Sequence, residues 1–182
     1  MSATERYMEP EFVIRAACER DVDRIAEIYG EARRYMRATG NFSQWSDSYP
    51  SADTARCDIV RGWGYVIEAR GQVVATFCLM TDAEPTYKAL PDEATERYVT
   101  LHRVASDGSV AGVFSAATAY ALSRGVDVRV DTHADNAPML AAIKREGFER
   151  CGVITLADGS PRVAFRLRRL AASPDCGGVS RR

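Results

Sequence analysis

No apolar run in this sequence approaches the roughly 20 residues that a membrane-spanning helix needs, so a helical membrane protein is excluded. Net charge is lacking too. The 24 basic residues meet 25 acidic ones and leave −1, so nothing marks a surface for nucleic acid or for an anionic membrane. Histidine is scarce: His102 and His133 are the only two. They stand too far apart in sequence to suggest a histidine-rich metal site, and no metal is expected. The five cysteines form an odd set without Cys-x-x-Cys spacing, which argues against a disulfide framework and a zinc site alike. Free thiols in a reducing compartment are the simpler reading. With no signal-peptide pattern in Met1–Glu5, the protein is expected to be cytoplasmic.

What is present suits one globular domain. The chain has 182 residues, 46% of them hydrophobic and 27% charged, which is enough to build a core of its own. That domain is expected over residues 12–170. A loose polar segment at 1–11 precedes it, and a Ser-, Gly- and Arg-rich tail at 171–182, expected to be disordered, follows.

Within it, Phe12–Arg15 reads as a short strand. Val22, Ile25, Ala26, Tyr29 and Ala32 recur at helical spacing after Asp21, giving a helix that ends near Gly40. Gly40–Pro50 is a loop rich in aromatic and polar groups, whose Trp45 and Tyr49 either line a pocket or pin the loop to the core. A short helix is expected over Ala52–Arg61. Gly64–Ala69 and Gln72–Met80 read as a hairpin about Arg70-Gly71. The irregular stretch Thr81–Arg97, with Glu84 and Tyr87, is either a pocket wall or a plain connection.

From Tyr98 the pattern becomes strand–turn–helix, twice. Tyr98–Ser106 is extended, Asp107–Gly112 is a turn of small residues, and a helix runs on to Arg124. Val126, Val128 and Val130 alternate with Asp127, Arg129 and Asp131 as in a strand, and Pro138 sits in the first turn of a further helix that Gly147 ends. Phe148–Leu156 and Arg162–Leu170 close the domain as a hairpin, a candidate edge for a homodimer. A strand feeding small residues at a helix start leaves unpaired N–H groups and the positive end of the helix dipole open to an anion. The turn is therefore either a phosphate site or a simple reversal of the chain.

This order of elements resembles the GCN5-related N-acetyltransferase (GNAT) family, from Phe12 to Leu170. The residues that carry the resemblance are His102-Arg103-Val104-Ala105, Asp131-Thr132-His133, Asn136 followed by Met139, and Gly147-Phe148 before Cys151-Gly152. Gln44-Trp45 with Tyr49-Pro50, and Asp158-Gly159 before Arg162, are similar to a bacterial branch whose substrates are mostly unassigned. The resemblance implies an α/β (α+β) fold: a mixed, mostly antiparallel sheet of about seven strands, about four helices and a splayed parallel strand pair.

It also implies acetyl-CoA as co-substrate. The family's phosphate loop would fall on Val110, Ala111, Gly112, Val113 and Phe114. Only Gly112 matches its side-chain pattern, with Ser109 where Arg or Gln is usual and Phe114 where a small residue is. Backbone N–H groups hold a pyrophosphate regardless of side chain. Phe114 either crowds the ligand or turns into the core. The pantetheine arm would lie along Val104, Ala105 and Ser106. Asn136 matches a family position near the sulfur end, with Met139 a further candidate contact, and Asn136 suits a helix cap equally well. The implied chemistry is attack of a neutral amine on the thioester, with a backbone N–H near Val104 for the developing oxyanion and a base for the amine proton.

His133 is the first candidate base and His102 the second, each open to a purely structural reading. Trp45, Tyr49, Glu84 and Tyr87 are candidate contacts to the amine. Ile143 stands where the family often places a Tyr that protonates the leaving thiolate, and Cys151 reads as a structural thiol rather than a nucleophile. The expected activity is acetyl transfer to a primary amine of a small metabolite or amino-acid-like substrate. The alternative is a GNAT-fold module that binds acyl-CoA, or regulates, without catalysis.

Overall fold

The computed structural model describes residues 11–82, 85–90 and 97–169. The expected tail, the expected N-terminal segment apart from Glu11, and Glu84 lie outside the described residues. The elements in order are β1 (Phe12–Ala16), α1 (Val22–Ala38), α2 (Ala52–Val60), β2 (Gly64–Ala69), β3 (Gln72–Met80), β4 (Tyr98–Ser106), α3 (Val113–Leu122), β5 (Asp127–Thr132), α4 (Ala137–Arg145), β6 (Glu149–Thr155) and β7 (Pro161–Leu167). Short 3-10 turns occur at Glu19–Asp21 and Pro85–Ala89.

The strands form one seven-stranded sheet in the order β1-β2-β3-β4-β5-β7-β6. Neighbours are antiparallel except β4 and β5. The last hairpin folds back so that β7, its second strand, pairs with β5 and leaves β6 at the edge.

Helices cover both faces. On one, Ile25, Ile28 and Tyr29 of α1 and Ala55 of α2 pack with Trp45 against Val66 and Ala105. On the other, Val113 and Ala117 of α3 and Ile143 of α4 bury Leu79, Leu101, Val128 and Val130. Each large aliphatic side chain so buried contributes about 1.5–3 kcal/mol. The first face has a second cover beyond α1 and α2. The 85–90 stretch seats Tyr87 and Leu90 on Ile154 and Ala164. Gly152 makes room for it, because a Cβ there would come within 2.9 Å of Leu90 Cδ2. This stretch is therefore a packed element rather than a loose connection.

Two irregularities of β4 open the sheet at its centre. It pairs with β5 only from Tyr98↔Asp127 to Leu101↔Val130, although β4 runs on to Ser106. β5 meanwhile stays paired with β7 as far as Thr132↔Val163. The two parallel strands thus fork after Leu101. On its other side β4 carries a bulge, since Thr76↔Ala105 and Cys78↔His102 leave one more residue on β4 than on β3. Arg103, inside the bulge, has a φ of 51°.

The start of α1 is held by Asp21, which accepts from Arg15 Nη1 and Nη2 at 2.7 and 2.8 Å and from Cys18 N at 2.9 Å. The Arg15 hydrogen bonds hold the Asp21 carboxyl well below the usual carboxylate range. The folded state therefore prefers the ionised form. The stability this adds is full above the unfolded value of about 3.9 and fades as pH falls through the folded one. Asp21→Asn is expected to lower stability to denaturant at pH 7 by an amount that shrinks steadily as pH falls below about 3.9, so that the variant's acid limb is flatter than the wild type's.

Candidate active site

A cavity of about 340 Å³ opens on the first face, between the α1–α2 cover and the 85–90 stretch. Its lining includes Gln44, Trp45 and Tyr49 from the loop after α1, Asp58 and Arg61 from the end of α2, and Trp63 and Met80 beside β2 and β3. His102 and Arg103 of β4, Asp131 of β5 and Arg162 of β7 complete it, with Thr86 and Leu156 at the far side.

His102 and Asp131 are the residues that follow the last paired positions of β4 and β5, so they stand at the fork. His102 Nδ1 lies 3.8 Å from Asp131 Oδ2, which also accepts the Tyr87 hydroxyl at 2.9 Å. Tyr87 is fully buried, and the Arg129 guanidinium lies over both its ring and that of Tyr98, 5.3 and 4.5 Å from the centroids. Asp131 is thereby fixed from behind, within ion-pair distance of the imidazole.

Across the cavity, Arg103 forks onto Asp58 at 3.0 and 2.6 Å and donates to the Tyr49 hydroxyl at 3.1 Å. Burial pushes the nearby Cys78 thiol up to about 12, which makes it inert as a nucleophile. Gln44 ties the loop to the sheet. Its Oε1 accepts from Asn41 Nδ2 (3.0 Å), Thr132 Oγ1 (3.1 Å), His133 N (3.3 Å) and Asn136 Nδ2 (2.9 Å). Trp45 both pins the loop, edge-on to Tyr29 at 5.7 Å, and lines the cavity.

His133 does not line this cavity. Its Nδ1 accepts the Asp135 N–H at 3.2 Å, so that nitrogen is engaged locally. Tyr87 faces Asp131 from below rather than the open space, and Glu84 is outside the described residues. Cys151 is half-buried on β6 against the Tyr87 cluster.

Behind the fork lies the other half of the expected site. Val104, Ala105 and Ser106 have no partner on β5. The turn after them is braced by Asp107, which accepts from Ser109 N and Oγ at 2.9 and 2.6 Å and from Arg24 at 2.5 Å. Ser109 therefore spends its side chain inside the turn. Gly112, at a φ of 85°, turns the chain into α3 without any side-chain cap. The first helical bond of α3 runs from Ala116 N to Gly112 O, so the N–H groups of Val113, Phe114 and Ser115 precede the helical ladder. Ala111 and Gly112 are exposed. The Phe114 ring packs into the core beside Phe148, 6.0 Å between centroids. Asn136 caps α4, accepting from Met139 N at 3.3 Å while donating to Gln44, so its side chain is committed at both ends. Met139 packs on the core, and Ile143 is fully buried.

No family model and no curated protein matches the chain. Solved structures do. An acetyltransferase of the GNAT family from Streptococcus agalactiae superposes with a TM-score of 0.75 at 27% identity, over 88% of this chain and 96% of that one. The chain has the fold of the GNAT acetyltransferases. Its GNAT fold is shared by the ribosomal-protein-S18-alanine N-acetyltransferase of Escherichia coli (TM-score 0.59, 15% identity, 92% of this chain and 100% of that one). It is also shared by yncA of Salmonella typhimurium, solved with its cofactor acetyl-CoA (TM-score 0.57, 16% identity, 91% and 99%). Within this GNAT fold the motif residues Gln44, Trp45, Tyr49, His102, Arg103, Asp131 and Arg162 converge on one cavity. Asp58 is not legible in the sequence, because an acid between Cys57 and Ile59 on a helix carries no motif and shows its role only once Arg103 meets it.

Proposed function

We propose that this protein transfers an acetyl group from acetyl-CoA to a small primary amine bound in the cavity, with His102 as general base. The observation that carries the reading is the placement of His102 and Asp131 at the fork of β4 and β5, between the cavity and the unpaired edge of β4. Acetyl-CoA supplies an acetyl group already activated as a thioester. The residues at hand fit it. Val104, Ala105 and Ser106 offer a strand edge unpaired on the β5 side, and the turn at Val110–Phe114, exposed at Ala111 and Gly112, offers helix-start amides to a pyrophosphate.

His102 takes a proton from the amine as its nitrogen bonds to the acetyl carbon and the C–S bond breaks, and Asp131 stabilises the imidazolium so formed. A backbone N–H near Val104 donates to the carbonyl oxygen as its charge grows. Ile143 has no proton to give, so the thiolate departs without a side-chain acid at that position. Acetyl-CoA is expected to give binding heat in isothermal titration and to raise the melting temperature in thermal shift with a dose dependence set by affinity, and an amine panel is expected to include compounds that release CoA thiol. Absence of both responses would sink the reading.

A further inference from the structure

We propose that the acceptor is a free amino acid, whose carboxylate is bound by Arg162 while its amine faces His102 and Asp131. The amine's fate rests on the transferase reading above; the seat of the carboxylate does not.

The cavity's charges lead to this. The Asp58 carboxylate and the Arg103 guanidinium neutralise each other. That leaves Asp131 with His102 at one end, and Arg61 and Arg162 as cations without a carboxylate partner among the described residues. Arg61 stacks on Trp63 at 4.9 Å. Arg162 is only 6% exposed, yet its hydrogen bonds are to two carbonyl oxygens, Pro161 at 2.9 Å and Gln44 at 3.5 Å. Arg166, the next buried arginine on the same face of β7, is matched by Asp127 at 2.7 and 2.6 Å. Asp158 senses the charge of Arg162, but its carboxyl is held low chiefly by the Ser160 hydroxyl and N–H, and among the described residues no ion pair joins it to Arg162. A buried guanidinium without a carboxylate is costly. In a cavity wall it is a place for an incoming anion, and its planar fork matches a carboxylate.

The spacing suits one small zwitterion. Asp131 pairs with Ala164 across β5 and β7, and Arg162 lies two residues earlier on the same face of β7. Such diagonal neighbours are about 7–8 Å apart along the sheet, and both side chains reach into the cavity. Gln44 adds to the anion end. Four donors converge on its Oε1, which settles the amide's orientation and leaves its N–H₂ as the donor for the cavity it lines. A simple di- or polyamine would face two uncompensated arginines here.

The test compares the standard L-amino acids with their α-amides and with O-phosphoethanolamine, in CoA-thiol release by the full chain. Acids are expected to exceed their amides by about 10–100-fold in kcat/KM, the range for losing one charge-assisted contact. In Arg162→Gln the ratio falls toward one, and Arg162→Lys restores part of it. Amides turned over as well as acids by the wild type would overturn the proposal, whatever the fate of the variants. So would a preference kept by an Arg162→Gln protein of wild-type melting temperature, or O-phosphoethanolamine outperforming every amino acid. If no amine releases thiol, the transferase reading fails on its own. Calorimetric titration without acetyl-CoA then decides this one: acids binding more tightly than amides uphold it, and equal or absent binding overturns it.

Discussion

His102→Gln is expected to lower kcat by about 10²–10⁴-fold on any amine that the wild type acetylates, the usual contribution of a positioned base. Gln keeps the size and polarity of the side chain but cannot take up the proton, so the loss should fall on kcat more than on KM. Asp131→Asn should lose less, because Asn still hydrogen-bonds to Tyr87 while no longer stabilising the imidazolium. Tyr87→Phe should follow in the same direction through Asp131. His133→Gln should leave kcat near the wild-type value, since His133 lies outside the cavity and its Nδ1 serves the local turn. Steady-state rates with acetyl-CoA saturating, on variants shown to fold by their melting transitions, check the series. A His133 variant with the larger loss would move the base to the other histidine.

Asp58→Ala is expected to destabilise the fold by about 3–5 kcal/mol, the cost of removing one partner from a buried pair. Arg103, its side chain 17% exposed and left with the Tyr49 hydroxyl, then keeps a charge without its carboxylate, in a backbone conformation held at a φ of 51°. For a domain of this size the shift amounts to about 6–20 °C in melting temperature. The penalty belongs to the stranded guanidinium rather than to the pair's own worth, so a double replacement by Asp58→Leu and Arg103→Met should recover much of the loss. Melting and urea denaturation of both single variants and the double distinguish the cases. If the double variant is as unstable as the sum of the singles, stranded charge is not the cause.

The contrast between Asp58 and Gln44 shows what can be read from the residues in order. Helix α1, the strand β5 and the turn before α3 follow from local rules of periodicity and small-residue turns, and the structure has them within a residue or two of where those rules put them. Gln44, His102, Asp131 and Arg162 stand in motifs that resemble a family, and the resemblance brings them forward without saying that they meet. Their meeting depends on how β7 inserts beside β5, a long-range pairing that no local pattern encodes. Arg162 and Arg166 alternate with apolar neighbours just as solvent-facing residues would. The 85–90 stretch and the loop after α1, folded over that face, turn it into the inside. His133 is the more attractive base by position in the strand, but which imidazole faces open space is set by side-chain direction at the fork.

The extra residue in β4 has a further effect. Leu101 and Val104, three apart, both pack into the core under α3 and α4, while Ala105 packs with α1 and His102 lines the cavity on that same face. The strand's odd-even alternation is reset partway along, and Arg103 occupies the reset. Excising that single residue would return β4 to strict alternation with Val104 and Ala105 still on the sides they now face, and what would be lost is the kink between the two halves of the strand. With the kink would go the guanidinium that meets Asp58. For anyone shortening or grafting this segment, the unit that must be preserved is the count of residues between His102 and Ala105, ahead of their identities.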